Sequence, residues 1–140
     1  MGASGPYGST IAEHFRRPRN QGPLPHAHAE AEKTNPLCGD RVRLAVALAE
    51  GGDTIGEARF VANACAICIA SASLLTERLR GLSCEAAARI ADAEIFDALD
   101  GTIPAARRRC ATLPLEALRT ALANLRQEPG RSDREGSPRP

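Results

Sequence analysis

The chain has 140 residues, of which 43% are hydrophobic but only 3% aromatic, and its formal net charge at pH 7 is +1. This length suffices for one domain with a buried core, and the balanced charge argues against a dedicated nucleic-acid surface, which needs a basic excess. Five cysteines are an odd number, which fits a closed disulfide framework poorly and reduced thiols for metal or redox chemistry better.

The two ends of the sequence bear on compartment and order. Residues 1–8 show neither the basic nor the apolar region of a secretory signal, and no apolar run approaches the roughly 18 residues of a membrane span. We therefore expect a soluble, cytoplasmic protein that binds no membrane. Residues 128–140 are rich in Pro, Gly, Ser and Arg and predict a disordered tail, so residues 1–127 are expected to form the domain.

Apolar residues that recur every four positions near the amino terminus predict a short helix that packs on the core. They are Tyr7, Ile11 and Phe15. The segment Pro18 to Asn35, rich in Pro, His, Gly and Asn, predicts a loop. All histidines fall in this helix and loop, where surface or loop positions are favoured, although a ligand role stays open for the two in the loop. They are His14, His26 and His28.

Two alternating segments follow and predict a pair of strands. Residues 41–48 place Val42, Leu44, Val46 and Leu48 on one face. After the turn Gly51-Gly52-Asp53, residues 55–62 place Ala58, Phe60 and Ala62 on one face. Two such strands joined by a short glycine-rich loop predict an antiparallel hairpin.

The pattern changes to a helical period after Cys65, and Gly81 ends that helix. Ser83 and Asp92 are the predicted N-cap residues of two short helices. A final amphipathic helix carries regularly spaced leucines, with Pro114 in its first turn. The order of elements predicts an α+β fold, in which helices pack on one face of a small antiparallel sheet.

Three cysteines lie where the chain changes direction, at positions from which a rigid scaffold presents ligands. Cys38 lies in a polar turn just before the first strand, Cys65 at the start of a helix, and Cys110 after three arginines, Arg107 to Arg109. Thiolates at helix starts or beside arginine have a lowered pKa, which favours nucleophilicity and metal binding. With Asp40 as an oxygen donor, the pattern predicts a Cys/Asp metal or sulfur site.

The remaining cysteines leave alternatives open. Cys65 and Cys68 form a lone C-x-x-C motif, which suits a redox dithiol, but antiparallel strands precede it instead of a βαβ unit, and a zinc knuckle would need a second close pair. Cys68 could reach the site or be a core thiol, and the second interpretation is slightly favoured. Cys84 is interpreted as a small buried residue.

Four blocks of this sequence resemble the NifU/IscU-type iron–sulfur cluster assembly scaffolds, with SufU-like features. The blocks, between about Tyr7 and Gln127, are Ile11–Gly22, Asn35–Asp40, Ala58–Phe60 together with Cys65–Glu77, and Arg109–Leu113 with its helix. The Cys-Gly-Asp turn and the Ala-Ser-Ala-Ser-Leu run are specific to this resemblance. It implies the family's α+β fold, with about three antiparallel strands against several helices, and a site built from Cys38, Asp40, Cys65 and Cys110.

The resemblance also implies a function, that of a scaffold which is not itself an enzyme. A cysteine desulfurase delivers persulfide sulfur to one of the three cysteines, iron is added, and a labile [2Fe–2S] cluster is built and passed to acceptor apoproteins. Thiolates are the usual ligands of such clusters, and a carboxylate from Asp40 should hold the cluster less firmly. The resemblance to SufU implies the alternative, a zinc-dependent sulfurtransferase that activates the desulfurase with the same residues bound to Zn²⁺. Either protein would be a monomer or a homodimer.

The sequence departs from each branch of the family. Arg109 stands where the IscU branch has a histidine before its last cysteine, and Ile103–Arg107 replaces the Leu-Pro-Pro-Val-Lys segment that a chaperone reads, so the resemblance does not extend to chaperone-assisted release. The SufU branch has an insertion between its last two cysteines, whereas the spacing from Cys65 to Cys110 is close to that of IscU.

Overall fold

A computed structural model of the protein describes residues 8–50, 52–101 and 103–126. Three antiparallel strands form one sheet in the order β1-β2-β3, and a short 3₁₀ turn, Ala105–Arg107, precedes the last helix. The strands are β1 (Ala29–Asn35), β2 (Asp40–Leu48) and β3 (Ile55–Asn63). The helices are α1 (Ser9–Arg16), α2 (Ala66–Leu79), α3 (Cys84–Ala88), α4 (Asp92–Leu99) and α5 (Arg108–Arg126). The predicted fold class is confirmed.

The predicted strand pair is confirmed in both position and facing. Val42, Leu44 and Val46 of β2 are completely buried, and their neighbours across the β2–β3 ladder are Ala62, Phe60 and Ala58. Helix α5 covers this face at β1 and β2, while α2 covers it at β3. The sheet is therefore buried on one side, as the alternation of its residues requires.

The prediction of a loop from Pro18 to Asn35 is wrong for its last part, because Ala29–Asn35 forms strand β1. Its sequence, Ala-Glu-Ala-Glu-Lys-Thr-Asn, is poor in strand-forming residues. The strand forms because it pairs with β2 from Ala29 opposite Val46 to Asn35 opposite Asp40. Arg43 of β2 also donates to Glu30 at 2.7 Å and to Glu32 at 3.3 Å. Cross-strand pairing outweighs the weak local preference.

Helix α2 crosses the middle of the protein and is buried on most sides. The helix ends at Leu79, two residues before the predicted stop at Gly81, where the chain turns with a φ of +93° that glycine adopts without strain. Its small residues allow α5 to approach closely, and the Ser71 hydroxyl donates to the Ala111 carbonyl at 2.5 Å. The position of Cys110 at the start of α5 is thereby tied to α2.

The helix starts confirm one predicted cap and correct two other assignments. Ser83 accepts the Ala86 N–H at 3.0 Å and caps α3 as predicted. The N-cap of α4 is Ala91, whose N–H donates to the Glu94 carboxylate at 3.2 Å, so Asp92 is the first helical residue. Pro114 lies inside α5 and not in its first turn, because the helix begins at Arg108. Pro114 has no N–H to donate to the Cys110 carbonyl.

The amino-terminal helix differs from prediction at two described positions. Ile11 is buried, but Phe15 is 46% exposed, so only part of the predicted face docks on the core. His14 is buried, although a surface position was predicted, because it shares the docking face with Ile11, three residues away. Tyr7 and the tail at 128–140 lie outside the described residues. Within residues 8–50, 52–101 and 103–126, every helix is too short or too polar to cross a membrane.

His14 joins α1 to α2 through a polar network. Its Nδ1 lies 2.7 Å from the Ser73 hydroxyl and 3.1 Å from the Arg19 guanidinium, and its Nε2 lies 4.0 Å from Glu77. Burial, followed by the charge of Arg19, lowers the pKa of His14 below its ordinary value of 6.5, against the carboxylates of Glu77 and Glu13. The native protein therefore holds His14 neutral.

We expect the protein to lose stability as the pH falls below about 6.5. The unfolded chain takes up the His14 proton at a higher pH than the native protein, so protons favour unfolding in that range. Urea denaturation of reduced, metal-free protein at about pH 7.5 and pH 5.5 measures the effect. His14→Gln should flatten this pH dependence, and an unchanged slope in that variant would contradict the assignment.

Candidate metal and sulfur site

The turn between β1 and β2 is held by Asn35, which is buried. Its carbonyl accepts the N–H groups of Cys38 at 3.3 Å and Gly39 at 2.8 Å, and its side-chain oxygen accepts the Leu37 N–H at 3.1 Å. Gly39 has a φ of +79°, a conformation that favours glycine. The turn therefore presents Cys38 to solvent in a fixed position. No role was predicted for Asn35 by itself, although an asparagine at the start of a turn indicates this kind of side-chain hydrogen bonding.

Three of the four residues expected at the site lie together. The sulfur atoms of Cys38 and Cys110 and a carboxylate oxygen of Asp40 all lie within 4.8 Å of one another, and the two sulfurs are 3.7 Å apart. Asp40 and Cys110 are buried, whereas Cys38 is exposed. The group is therefore anchored in the protein and open to solvent on the Cys38 side.

The fourth residue, Cys65, lies beside this group without completing it. Its backbone N–H donates to Asp40 Oδ1 at 3.1 Å, which fixes the carboxylate at the start of α2. Its sulfur is not among the atoms that all lie within 4.8 Å of one another. It is near enough to Cys110 for the two thiols to interact electrostatically. Cys65 therefore stands at the edge of the site, half-buried.

The donor set fits a soft divalent metal ion. Asp40 Oδ2 is buried without a hydrogen-bond partner in the described part of the chain, a condition that costs free energy unless something binds the atom. All five cysteines are free thiols. Cysteine sulfur with a carboxylate oxygen is within the ligand range of zinc, and cysteine sulfur is the usual ligand of iron–sulfur clusters.

Electrostatics in the site oppose thiolate formation while no cation is bound. Burial, followed by Asp40 and Cys38, raises the pKa of Cys110 well above its ordinary value, so the lowered pKa predicted from the neighbouring arginines is wrong for this thiol. A cation held by Asp40, Cys38 and Cys110 would favour deprotonation of this thiol. Arg107 lies close to these thiols, because its interaction with Cys110, and then with Cys65, raises the pKa of the guanidinium.

The neighbouring arginines are engaged elsewhere. The Arg108 guanidinium lies 4.0 Å above the ring of Phe96, and Arg109 forms an ion pair with Glu116 at 3.2 Å. Arg109 occupies the position at which the IscU branch has histidine. Its guanidinium is paired with Glu116 and does not serve as a metal ligand. Among the three arginines that precede Cys110, Arg107 has a guanidinium that interacts with the Cys110 thiol.

The other cysteines and the loop histidines lie outside the three-residue group. Cys68 is completely buried, and burial raises the pKa of its thiol. Cys84 is only half-buried at the start of α3, less enclosed than predicted because its backbone N–H is drawn to the Asp53 carbonyl at 2.8 Å. His28 accepts the Leu48 N–H at 2.9 Å, and His26 is exposed.

Comparison with known proteins relates this chain to one protein family. A family model described as the NifU-like N terminal domain matches residues 6–132. The bifunctional protein NifU/MnmA of Rubrobacter xylanophilus is 40% identical over 116 residues, which are 82% of this chain. The chain spans only 23% of the length of that relative.

Two further relatives are matched over most of their own length. The iron–sulfur cluster assembly scaffold protein IscU of Aquifex aeolicus is 32% identical over 125 residues, which cover 89% of this chain and 79% of the relative. The zinc-dependent sulfurtransferase SufU of Bacillus subtilis is 34% identical over 134 residues, with coverage of 84% and 89%.

A solved structure supports the fold. The crystal structure of a putative iron–sulfur cluster assembly scaffold protein for the SUF system from Fervidobacterium islandicum superimposes with a TM-score of 0.71. The superposition covers 83% of this chain and 96% of that chain, at 23% sequence identity.

Proposed function

The chain belongs to the NifU-like N-terminal domain family of iron–sulfur cluster assembly scaffolds, and from this premise we propose that it builds a labile [2Fe–2S] cluster on Cys38, Asp40, Cys65 and Cys110. Sulfur arrives as persulfide from a cysteine desulfurase, iron is added, and the cluster passes to acceptor apoproteins. The domain that does this is residues 1–127. The protein provides the site and does not itself catalyse the release of sulfur from cysteine.

One observation carries the proposal: two thiols and a carboxylate converge, and one carboxylate oxygen has no hydrogen-bond partner among the described residues. Cys110 and Asp40 are buried and supply the fixed part of the site. The exposed Cys38 is accessible to a partner that brings sulfur and to an acceptor that removes the cluster. Burial on one side with access on the other suits a cargo that must be both held and released.

Asp40 links the two halves of this proposed site. One of its oxygens accepts the N–H of Cys65. The other is buried, has no hydrogen-bond partner in the described part of the chain, and can bind iron. The carboxylate thus orients the start of α2, and with it Cys65, toward the group on the β1–β2 turn. Cys65 supplies the remaining thiolate when the cargo is bound.

Anaerobic reconstitution tests the function. We expect protein incubated with a cysteine desulfurase, cysteine and ferrous iron to acquire charge-transfer absorbance and equimolar iron and acid-labile sulfide. Omission of the desulfurase is the control and should give little cluster. Absence of a cluster with a desulfurase of verified activity would count against the proposal.

A second function is favoured by the similarity to the zinc-dependent sulfurtransferase SufU. Three cysteines and Asp40 can close a tetrahedral zinc site, and the exposed Cys38 is then the thiolate most accessible to sulfur. Metal analysis of the protein as isolated separates the two functions. Stoichiometric zinc together with faster desulfurase turnover supports the sulfurtransferase, whereas metal-free protein without effect on turnover excludes it.

A further inference from the structure

Cys68 borders the proposed site but is not one of the four proposed cluster ligands. Cys65 is the N-cap of α2 and Cys68 lies in the first turn of the same helix. Cys65 is partly exposed, whereas Cys68 is completely buried. The two thiols therefore differ in access: a sulfur donor reaches Cys65 but not Cys68.

Cys65 and Cys68 are three positions apart at the start of α2 and lie on the same side of its first turn. Residues three positions apart in a helical turn are neighbours, and a disulfide bridges Cα atoms up to about 6.8 Å apart. The Cys68 thiol also interacts electrostatically with Asp40 and Cys65, so it borders the site and is not remote in the core.

Cluster assembly has a redox requirement that the proposed ligands do not meet. The outer sulfur of a persulfide is at the oxidation level of elemental sulfur, whereas cluster sulfur is sulfide. Each sulfur atom therefore needs two electrons before it can bridge iron. A thiol beside the persulfide can supply them, because thiolate attack on a sulfur–sulfur bond forms a disulfide and expels the other sulfur.

We propose that Cys68 resolves a persulfide on Cys65 and releases its outer sulfur as sulfide, directly beside the cluster site. This inference rests on the proposed function. The Cys68 sulfur attacks Cys65 Sγ, the bond from Sγ to the outer sulfur breaks, and that sulfur leaves with the bonding electron pair. The Cys68 thiol passes its proton directly to the outer sulfur as that sulfur departs, so the step needs no free thiolate at the buried Cys68, and persulfide and thiol become one disulfide and one hydrogen sulfide.

The electrons balance within the protein for one turnover. The two cysteine sulfurs are oxidised to a disulfide, and the sulfane sulfur is reduced to sulfide. A further round needs an external dithiol reductant, which reduces the Cys65–Cys68 disulfide by exchange. Partial exposure of Cys65 gives that reductant a point of attack.

A direct test loads sulfur without a desulfurase. The full chain is reduced, treated anaerobically with inorganic polysulfide, desalted, and followed by mass spectrometry of its tryptic peptide Phe60–Arg78, which contains both cysteines. In the unsubstituted protein this peptide should pass from the persulfide form to a form two hydrogens lighter than the dithiol. Sulfide collected in a zinc trap should match the lost sulfur.

Cys68→Ser should retain the persulfide on this peptide, with a lifetime at least about tenfold longer. Cys84→Ser is the matched control, because Cys84 is a partly buried thiol away from the site, and it should behave as the unsubstituted protein. Cys68→Ala, which buries no hydroxyl, should repeat the result of Cys68→Ser. Circular dichroism verifies that the variants are folded.

Several outcomes overturn this inference. They are an unchanged persulfide lifetime in both Cys68 variants, a disulfide that joins Cys65 to a different cysteine, and failure of Cys65 to take up any sulfur. Because polysulfide replaces the desulfurase, the test is separate from that of the proposed function. Persulfide resolution in a protein that assembles no cluster in the reconstitution would refute the scaffold and leave the Cys65–Cys68 chemistry standing.

Discussion

Cys110→Ser should weaken metal binding by about a thousandfold, or about 4 kcal/mol, and abolish cluster assembly. The Cys110 sulfur lies 3.7 Å from that of Cys38 and belongs to the group that includes Asp40. A serine hydroxyl does not deprotonate under these conditions and is a poor substitute for thiolate. Anaerobic competition with a chromophoric zinc chelator, and iron and sulfide content after reconstitution, measure the loss.

The matched control for this substitution is Cys84→Ser. It makes the same chemical change at a thiol outside the site, and its metal affinity should stay within about twofold of the unsubstituted protein. Because Cys110 is completely buried, a buried hydroxyl there is expected to cost about 1–3 kcal/mol of stability. Denaturation of the metal-free variants, with Cys110→Ala as the apolar comparison, separates this loss from the loss of a ligand. Full metal affinity in a folded Cys110→Ser protein would refute the site.

Most of the fold could be predicted from local patterns, because the central elements bury one face and so leave a clear period in the sequence. Strand β2 and helix α2 are the best examples, with alternating valines and leucines in one and a glycine stop in the other. Strand β1 could not be predicted in this way. Its alternation of Ala and Glu carries little local preference, and it is a strand only because β2 offers partners such as Arg43.

One part of the site could likewise be predicted from local sequence, whereas another part depends on long-range packing. Cys38 and Asp40 share one turn, so their proximity follows from the sequence. That Cys110 meets them depends on α5 packing across β1 and β2. The local pattern marked Cys110 as a candidate ligand, and the family resemblance implied that it meets the other residues. The burial of His14 was not predicted for a related reason. Its polar partners are Ser73, which lies far away in sequence on α2, and Arg19, which follows α1.

Asp40→Ala should make a bound cluster more persistent, with transfer to an acceptor apoprotein slower by about tenfold. An oxygen ligand exchanges more readily at iron than a thiolate does, and removal of the carboxylate also removes a negative charge from a site that gathers thiolates. The decay of the cluster absorbance in the presence of a chelator, and the rate of transfer to an apoferredoxin, measure the effect.

Asp40→Asn separates the two roles that the structure gives to Asp40. The amide retains an oxygen that can accept the Cys65 N–H, a bond now 3.1 Å long, but it lacks the charge. If ligand exchange at Asp40 governs release, both variants prolong the cluster lifetime, since neither offers iron a carboxylate. If the carboxylate serves chiefly to position Cys65, Asp40→Ala shortens the lifetime because that N–H loses its partner, while Asp40→Asn preserves it. A shorter lifetime in both variants contradicts the view that Asp40 keeps the cluster labile, and identifies it instead as a ligand that holds the cargo.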